Sequence, residues 1–277
     1  MSGAFARSPG LFPGIYTGVA VARQRVSHAP ETMHHMLQVC LNGARNRIES
    51  AHLPMTPQDL AEAAREAVEA GAQDIHLHPK NHDGEDTLDP AHVDAAITAV
   101  RAAVPAVPIG VTTGAWTLPD ARQRAAMVGS WAVLPDHASV NWHEDGATIV
   151  ASALLERGIG IEAGIYTETE AARRFLTWPQ RHRVLRVIAE VTDTNPQTAA
   201  ATAITLLNEL SGTGLPILLH GEETAAWTVL RTAAIRGLDT RIGMEDVLRL
   251  PDGAPATSNA ALIRAAHAMI QEFRPFP

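Results

Sequence analysis

The feature that most constrains this fold is an alternation. From Met36 onward, short apolar runs with strand character take turns with segments of helical period. The runs are Leu37–Leu41, Asp74–His78, Pro108–Thr113, Ala138–Trp142, Gly160–Tyr166, Val184–Val191, Pro216–His220 and Thr240–Met244. The helical periods are Pro57–Ala70, Pro90–Val104, Asp120–Leu134, Gly146–Arg157, Glu168–Trp178, Pro196–Leu210, Thr224–Arg236 and Ser258–Phe273. Thr56-Pro57 and Asp89-Pro90 each set a capping side chain ahead of a first-turn proline, and Gly71, Gly158 and Gly237 mark helix ends. Strands that alternate with helices pair in parallel, and eight such units close a (β/α)8 TIM barrel of the α/β class. An open doubly wound sheet needs a glycine-rich phosphate loop after its first strand. Asn42-Gly43-Ala44-Arg45 is not one.

Composition narrows the class further. A chain of 277 residues, 46% hydrophobic, has the size and apolar content of one barrel. A net charge of −8 with no lysine- or arginine-rich run argues against nucleic acid or an anionic membrane surface as partner. The single cysteine, Cys40, excludes an internal disulfide, fits a reducing and therefore cytoplasmic setting, and lies in an apolar run that suits a buried thiol. No stretch is long and apolar enough to span a membrane. Residues 1–34, broken by Pro9, Gly10, Pro13, Gly14 and Gly18, read as a poorly ordered extension, and residues 35–277 as a single catalytic barrel.

Barrel active sites form at the C-terminal ends of the strands. Alternation along the second strand puts His76 and His78 on one face. Strands two and eight both neighbour strand one in a closed barrel, so Glu245 is expected beside that pair. Two imidazoles and one carboxylate leave a tetrahedral position open, the pattern of a catalytic site for zinc or a similar divalent ion. The same alternation sets Arg241, Gly243 and Glu245 on one face, with Arg241 able to reach Asp246 or a substrate carboxylate. The other strand ends carry a polar set expected to face substrate: Asn42 and Arg45, then Thr112, Thr113 and Gly114, then Asn141, His143 and Glu144, then Glu222. Glu162 and His220 also lie on these strands.

These residues resemble a family. Asn42-Gly43-Ala44, Leu53-Pro54-Met55-Thr56-Pro57, Ala70-Gly71-Ala72, His76-Leu77-His78, Thr112-Thr113-Gly114, Arg241-Ile242-Gly243-Met244-Glu245-Asp246 and Ser258-Asn259-Ala260 are similar to the β-keto acid cleavage enzymes of the 3-keto-5-aminohexanoate cleavage type. The resemblance implies one zinc on His76, His78 and Glu245, and a homo-oligomer, a tetramer. It implies a reaction in which a β-keto acid and acetyl-CoA give a new CoA thioester and acetoacetate. Asp246, positioned by Arg241, would be the base, and Thr112 matches the family's small hydroxyl residue. Arg45 stands where the family has a glutamate that binds an amino-bearing substrate, so an anionic or hydrogen-bond-accepting tail is expected here. His220-Gly221-Glu222-Glu223-Thr224 replaces a Gly-Arg-x-Gln stretch, and Trp142-His143-Glu144 also departs from the pattern. Two alternatives stay open on the residues: a metal-dependent hydrolase on the same barrel, and a non-catalytic metal-binding barrel.

Overall fold

The computed structural model describes residues 36–273. The expected extension over residues 1–34 lies outside them. The strands are β1 (Leu37–Cys40), β2 (Asp74–Leu77), β3 (Ile109–Val111), β4 (His137–Asn141), β5 (Gly160–Tyr166), β6 (Arg186–Val191), β7 (Ile217–Gly221) and β8 (Asp239–Ile242). They pair in sequence order, all in parallel, and β8 returns to β1 to close the barrel. The helices are α1 (Pro57–Glu69), α2 (Pro90–Ala103), α3 (Ala121–Ser130), α4 (Ala147–Glu156), α5 (Ala171–Leu176), α6 (Ala199–Glu209), α7 (Ala226–Arg236) and α8 (Asn259–Glu272). Among the described residues no helix is long and apolar enough to cross a membrane.

Local chemistry sets the boundaries. Thr56 caps α1 through a reciprocal box with Asp59, and the Asp89 carboxylate takes the Ala91 N–H at the start of α2. Gly71, Gly158 and Gly237 all take positive φ at helix ends. α3 stops earlier than its apolar pattern suggests. The Asp94 carboxylate captures the N–H groups of Ala132 and Val133, and Arg157 takes the Trp131 carbonyl, so the chain is drawn out of the helix.

The strands divide into two kinds of surface. Val39, Ile75, Leu77, Val111, Val140, Ile161, Ala163, Val187, Leu219 and Ile242 belong to the main apolar core, which lies between sheet and helices. The alternate residues face the lumen, and most of them are polar, Ile188 and Leu218 being exceptions. In the lower lumen, Gln38 Nε2 donates to Asp74 and Glu162, at 2.9 Å each. Arg186 donates to both carboxylates, through Nε to Glu162 at 2.7 Å and Nη2 to Asp74 at 2.8 Å. His137 lies between them, 3.0 Å from Asp74 and 3.1 Å from Glu162. A Cβ on Gly110 would sit 2.1 Å from the His137 ring, so only glycine leaves room for it. Burial alone would raise the Asp74 and Glu162 carboxyls, but His137 and Arg186 outweigh it and hold both below the usual range. Burial likewise pushes the His137 imidazole down, and the Glu162 and Asp74 charges overcome it and lift it to about 10.

This ionic plug makes stability depend on pH from both sides. The depressed carboxylates contribute stability above their unfolded values near ~4, lost as pH falls. The raised imidazole contributes stability below its unfolded value near ~6.5, lost as pH rises toward about 10. Urea unfolding across pH should show both limbs, and His137→Gln should flatten the alkaline one; an unchanged alkaline limb would contradict the assignment. Arg186→Ala leaves two buried carboxylates short of their cation and should cost about 3–5 kcal/mol at neutral pH in the same measurement.

Candidate metal centre and active site

Two asparagines and two glycines position the ligands. β2 places His76 opposite Cys40 of β1. His78 follows the end of β2, and Asn42 grips its backbone: Oδ1 accepts the His78 N–H and Nδ2 donates to the His78 carbonyl, both at 2.9 Å. The same Nδ2 donates to Pro54 O at 3.2 Å. β8 ends at Ile242, not at Met244, so alternation does not place Glu245. Gly243 instead lies flat on β1; a Cβ there would come within 1.9 Å of the Cys40 carbonyl oxygen. Beyond it the Glu245 N–H bonds to Cys40 O at 3.2 Å. Asn259, at the start of α8, accepts the Met244 N–H and donates to Leu41 O, each at 2.9 Å. Gly43 has φ of 57°, and a Cβ on it would meet Glu245 Cγ at 2.5 Å.

The result is a convergence of three donors. Ligand atoms of His76, His78 and Glu245 all lie within 4.8 Å of one another. Glu245 Oε2 stands 3.9 Å from His76 Nε2 and 3.6 Å from His78 Nε2. Donors around a tetrahedral zinc are separated by roughly 3.3 Å, so small adjustments suffice. The set fits a divalent ion on further grounds. Glu245 Oε2 is buried without a hydrogen-bond partner. Burial lowers the His76 imidazole to about 4, with Arg241 and His78 adding to that against Glu245, so its lone pair is free at neutral pH. Burial would raise the Glu245 carboxyl, but Arg241 and then the two histidines hold it well below the usual range. His78 Nδ1 lies 2.8 Å from Asp86 Oδ2, an arrangement that fixes the ring and turns Nε2 toward the site.

Asp86 carries no local signal in the sequence. It also pairs with buried Lys80 at 2.5 Å and takes the Trp116 indole N–H at 2.8 Å. Lys80 in turn donates to the Gly43 and Arg45 carbonyls, tying the loops after β1 and β2 together. Trp116 stacks on His78 with ring centroids 5.9 Å apart while remaining half exposed.

Beside the three donors lies a second group. Arg241 Nη2 bridges Glu245 Oε1 at 2.8 Å and Asp246 Oδ1 at 2.9 Å. Asp246 is 2% exposed, and its Oδ2 has no partner. His220 sits between Asp246 and Glu190, 3.4 Å and 3.3 Å away, without an aligned hydrogen bond to either. Burial and Arg241 press the His220 imidazole down, but Glu190 and Asp246 prevail and raise it to about 9. Burial, reinforced by Glu190, raises the Glu222 carboxyl and the Tyr166 phenol. Neither Glu190 nor Tyr166 stands out in the sequence, since each belongs to a mostly apolar strand and has no motif around it.

The remaining strand-end residues separate into those with free chemistry and those already engaged. Asn42 uses its amide on backbone, as described. Arg45 donates through Nε to Glu245 O at 2.9 Å, through Nη1 to Glu49 at 3.0 Å and through Nη2 to Glu223 at 2.5 Å. Two carboxylates thus match the charge expected to select an anionic substrate tail, and the guanidinium braces the ligand backbone. Thr113 donates to Ser139 O at 2.6 Å, and Gly114 lies against the Trp116 ring, where a Cβ would approach to 2.1 Å. Glu144 accepts from Asn141 Nδ2 and the Ala115 N–H and lies 3.4 Å from buried Arg124. Thr112 is buried at the end of β3, its hydroxyl accepting the Gly114 N–H. His143 packs on Tyr166, with ring centroids 4.4 Å apart. Cys40 is fully buried below the site, and burial raises its thiol well above the ordinary value, as suits a structural residue.

Comparison with known proteins gives findings of three kinds, from family models, relatives and solved structures. A family model described as beta-keto acid cleavage enzyme matches residues 34–275. The chain is 24% identical over 238 residues to a 3-keto-5-aminohexanoate cleavage enzyme of Fusobacterium nucleatum, covering 79% of this chain and 85% of that one. It is 42% identical over 66 residues to a 3,5-dioxohexanoate:acetyl-CoA acetone transferase of Paraburkholderia graminis, which is 24% of this chain and only 21% of that one. Among solved structures, a ternary complex of ObcA with C4-CoA adduct and oxalate superposes with a TM-score of 0.66 at 14% identity, over 80% of this chain and 64% of ObcA. A 3-dehydroquinate dehydratase from Geobacillus kaustophilus superposes with a TM-score of 0.57 at 10% identity, covering 87% of this chain and 93% of that one. The two structural likenesses concern the barrel fold.

Asp86→Asn should keep the fold but weaken divalent-metal affinity about 10–100-fold in chelator competition, because His78 loses the carboxylate that orients it. Gly43→Ala should do the same by displacing Glu245. Wild-type affinity in both variants would mean that the ligands are held by something else.

Proposed function

The chain belongs to the β-keto acid cleavage enzyme family, and on that premise we propose that it exchanges acyl groups between a β-keto acid and acetyl-CoA, giving a new CoA thioester and acetoacetate. The observation that carries this reading is the adjacency of two features. One is the convergence of His76, His78 and Glu245; the other is Asp246, whose Oδ2 is buried and unpartnered beside it. The acetyl-CoA in the name of the Paraburkholderia graminis relative and the keto acid in that of the Fusobacterium nucleatum relative support it.

A zinc ion held by His76, His78 and Glu245 would polarise a keto oxygen and stabilise enolate charge. The chain's own residues do the rest. Arg241 fixes Asp246 Oδ1, so Oδ2 is the atom presented to the carbon acid. Asp246 Oδ2 takes a proton from the carbon between the keto and carboxylate groups. That carbon acquires the acetyl group of acetyl-CoA and releases CoA thiolate. The thiolate adds to the original keto carbon, the adjacent carbon–carbon bond breaks, and the proton returns from Asp246 to acetoacetate. Thr112, buried at the end of β3, and half-buried His143, whose Nδ1 has no partner, would meet the substrate in this reading. Arg45 braces Glu245 in this reading and does not by itself choose the tail of the keto acid.

A screen of β-keto acids with acetyl-CoA, followed by mass, should give new CoA thioesters and acetoacetate. Keto acid consumed without CoA would instead mark a hydrolase. Metal analysis should find about one divalent ion per chain, and none in a His76→Ala, His78→Ala double variant. Asp246→Asn should lower kcat about a hundredfold to ten-thousandfold with metal content and melting temperature kept. If that variant still exchanges substrate protons for deuterium at the wild-type rate, the base lies elsewhere, at His143, Glu144 or Glu222.

A further inference from the structure

We propose that a cleft beside the barrel mouth, between α7 and the loop from β8 to α8, holds the phosphoadenosine end of the CoA thioester. This rests on acetyl-CoA being the co-substrate, and it assigns a place on the chain to the half of that molecule remote from the chemistry. The cleft has a volume of about 870 Å³ and is lined by His52, Trp227, Arg231, Val247 and Arg249 together with Glu49 and Glu223. That volume lies within the range of small-molecule sites, roughly 300–1,000 Å³.

Its charge is the first argument. The two carboxylates of the lining, Glu49 and Glu223, both pair with Arg45, which offsets one of their two charges. The two guanidinium groups of the lining are not matched. Arg249 donates only to the Gly253 carbonyl, and among the described residues neither it nor Arg231 meets a carboxylate. Three guanidinium groups against two carboxylates leave one net positive charge here in a chain of net charge −8, and the two guanidinium groups that meet no carboxylate suit phosphate through paired hydrogen bonds. The second argument is composition. Trp227 is tethered through its indole N–H to Arg249 O at 2.9 Å, which sets an aromatic surface beside that arginine. Aromatic surface next to guanidinium is what a purine carrying phosphates requires.

The third argument is position. Val247 follows Asp246 directly and lines the cleft. Glu223 lines it too, and its N–H donates to the Asp246 carbonyl at 2.7 Å. The Arg45–Glu223 pair therefore stands as a low partition between the cleft and the three-donor site. An extended thioester arm crossing that partition would run from the phosphates to Asp246.

The test uses CoA, acetyl-CoA and S-acetylpantetheine, which lacks the phosphates and adenine, on the metal-loaded full chain. CoA should bind the wild type by calorimetry and quench tryptophan emission. An Arg231→Ala, Arg249→Ala double variant should bind CoA at least about tenfold more weakly. Its KM for acetyl-CoA should rise by the same factor, with KM for S-acetylpantetheine unmoved, and Trp227→Leu should abolish the quench. Both arginines are exposed, so the variants should fold. Three results would overturn the proposal: no CoA binding by the wild type, equal CoA binding by wild type and double variant, or equal KM for the two thioesters in the wild type. Unchanged CoA binding with a smaller assembly on size exclusion would give the cleft to a second copy of the chain, which also overturns it. CoA binding that is lost in the variant, with no acyl exchange by the wild type, would uphold the cleft and sink the acyl-exchange reading. The two ideas thus fail separately.

Discussion

Everything at the mouth of this barrel depends on how closely the chain after β8 lies on β1. Gly243 touches the Cys40 carbonyl, Asn259 clamps Met244 and Leu41, and Glu245 bonds its N–H to Cys40. Since β1 also holds β2 in register, and Asn42 grips His78, one strand fixes all three donors. The spacing between two imidazoles and a carboxylate more than a hundred and fifty residues apart thereby becomes a matter of backbone hydrogen bonds, which are stiffer than long side chains. The cost is that no residue but glycine fits at positions 43 and 243.

The barrel also inverts the usual place of its apolar core. The annulus between sheet and helices carries the hydrophobic burial, and the lumen is given to charged and hydrogen-bonding groups. Such groups are expensive to bury singly. They persist because they are paired: Asp74, Glu162, His137 and Arg186 in the lower layer, Glu245, Asp246 and Arg241 in the upper one. In each layer an arginine bridges two carboxylates. In the upper layer the carboxylate oxygens that Arg241 leaves over, Glu245 Oε2 and Asp246 Oδ2, are those assigned to the chemistry.

The fold was legible in the sequence because its signals are local. Periodicity, caps such as Thr56 and Asp89, and positive-φ glycines after helices each act within a few residues, and every strand boundary falls within two residues of where those signals put it. The grouping of His76 and His78 with Glu245 was legible once closure was assumed. What stayed hidden are partnerships decided by side-chain direction. Strand ends advertised Asn42, Arg45 and Thr113 as polar residues facing a ligand, and nothing local distinguishes a free amide from one spent on a neighbouring backbone. Asp86 was equally invisible, since its importance comes from meeting His78, Lys80 and Trp116 across a loop.

The two arginine-bridged layers of the lumen touch at few points; one is the 3.8 Å approach of His76 Nδ1 to Glu162. This near-separation bears on how such a chain diversifies. Loops after the strands can be exchanged without disturbing the charges on which the lower barrel stands. The rim can therefore be rebuilt for another substrate while the ionic layer on which the barrel stands keeps its pairs.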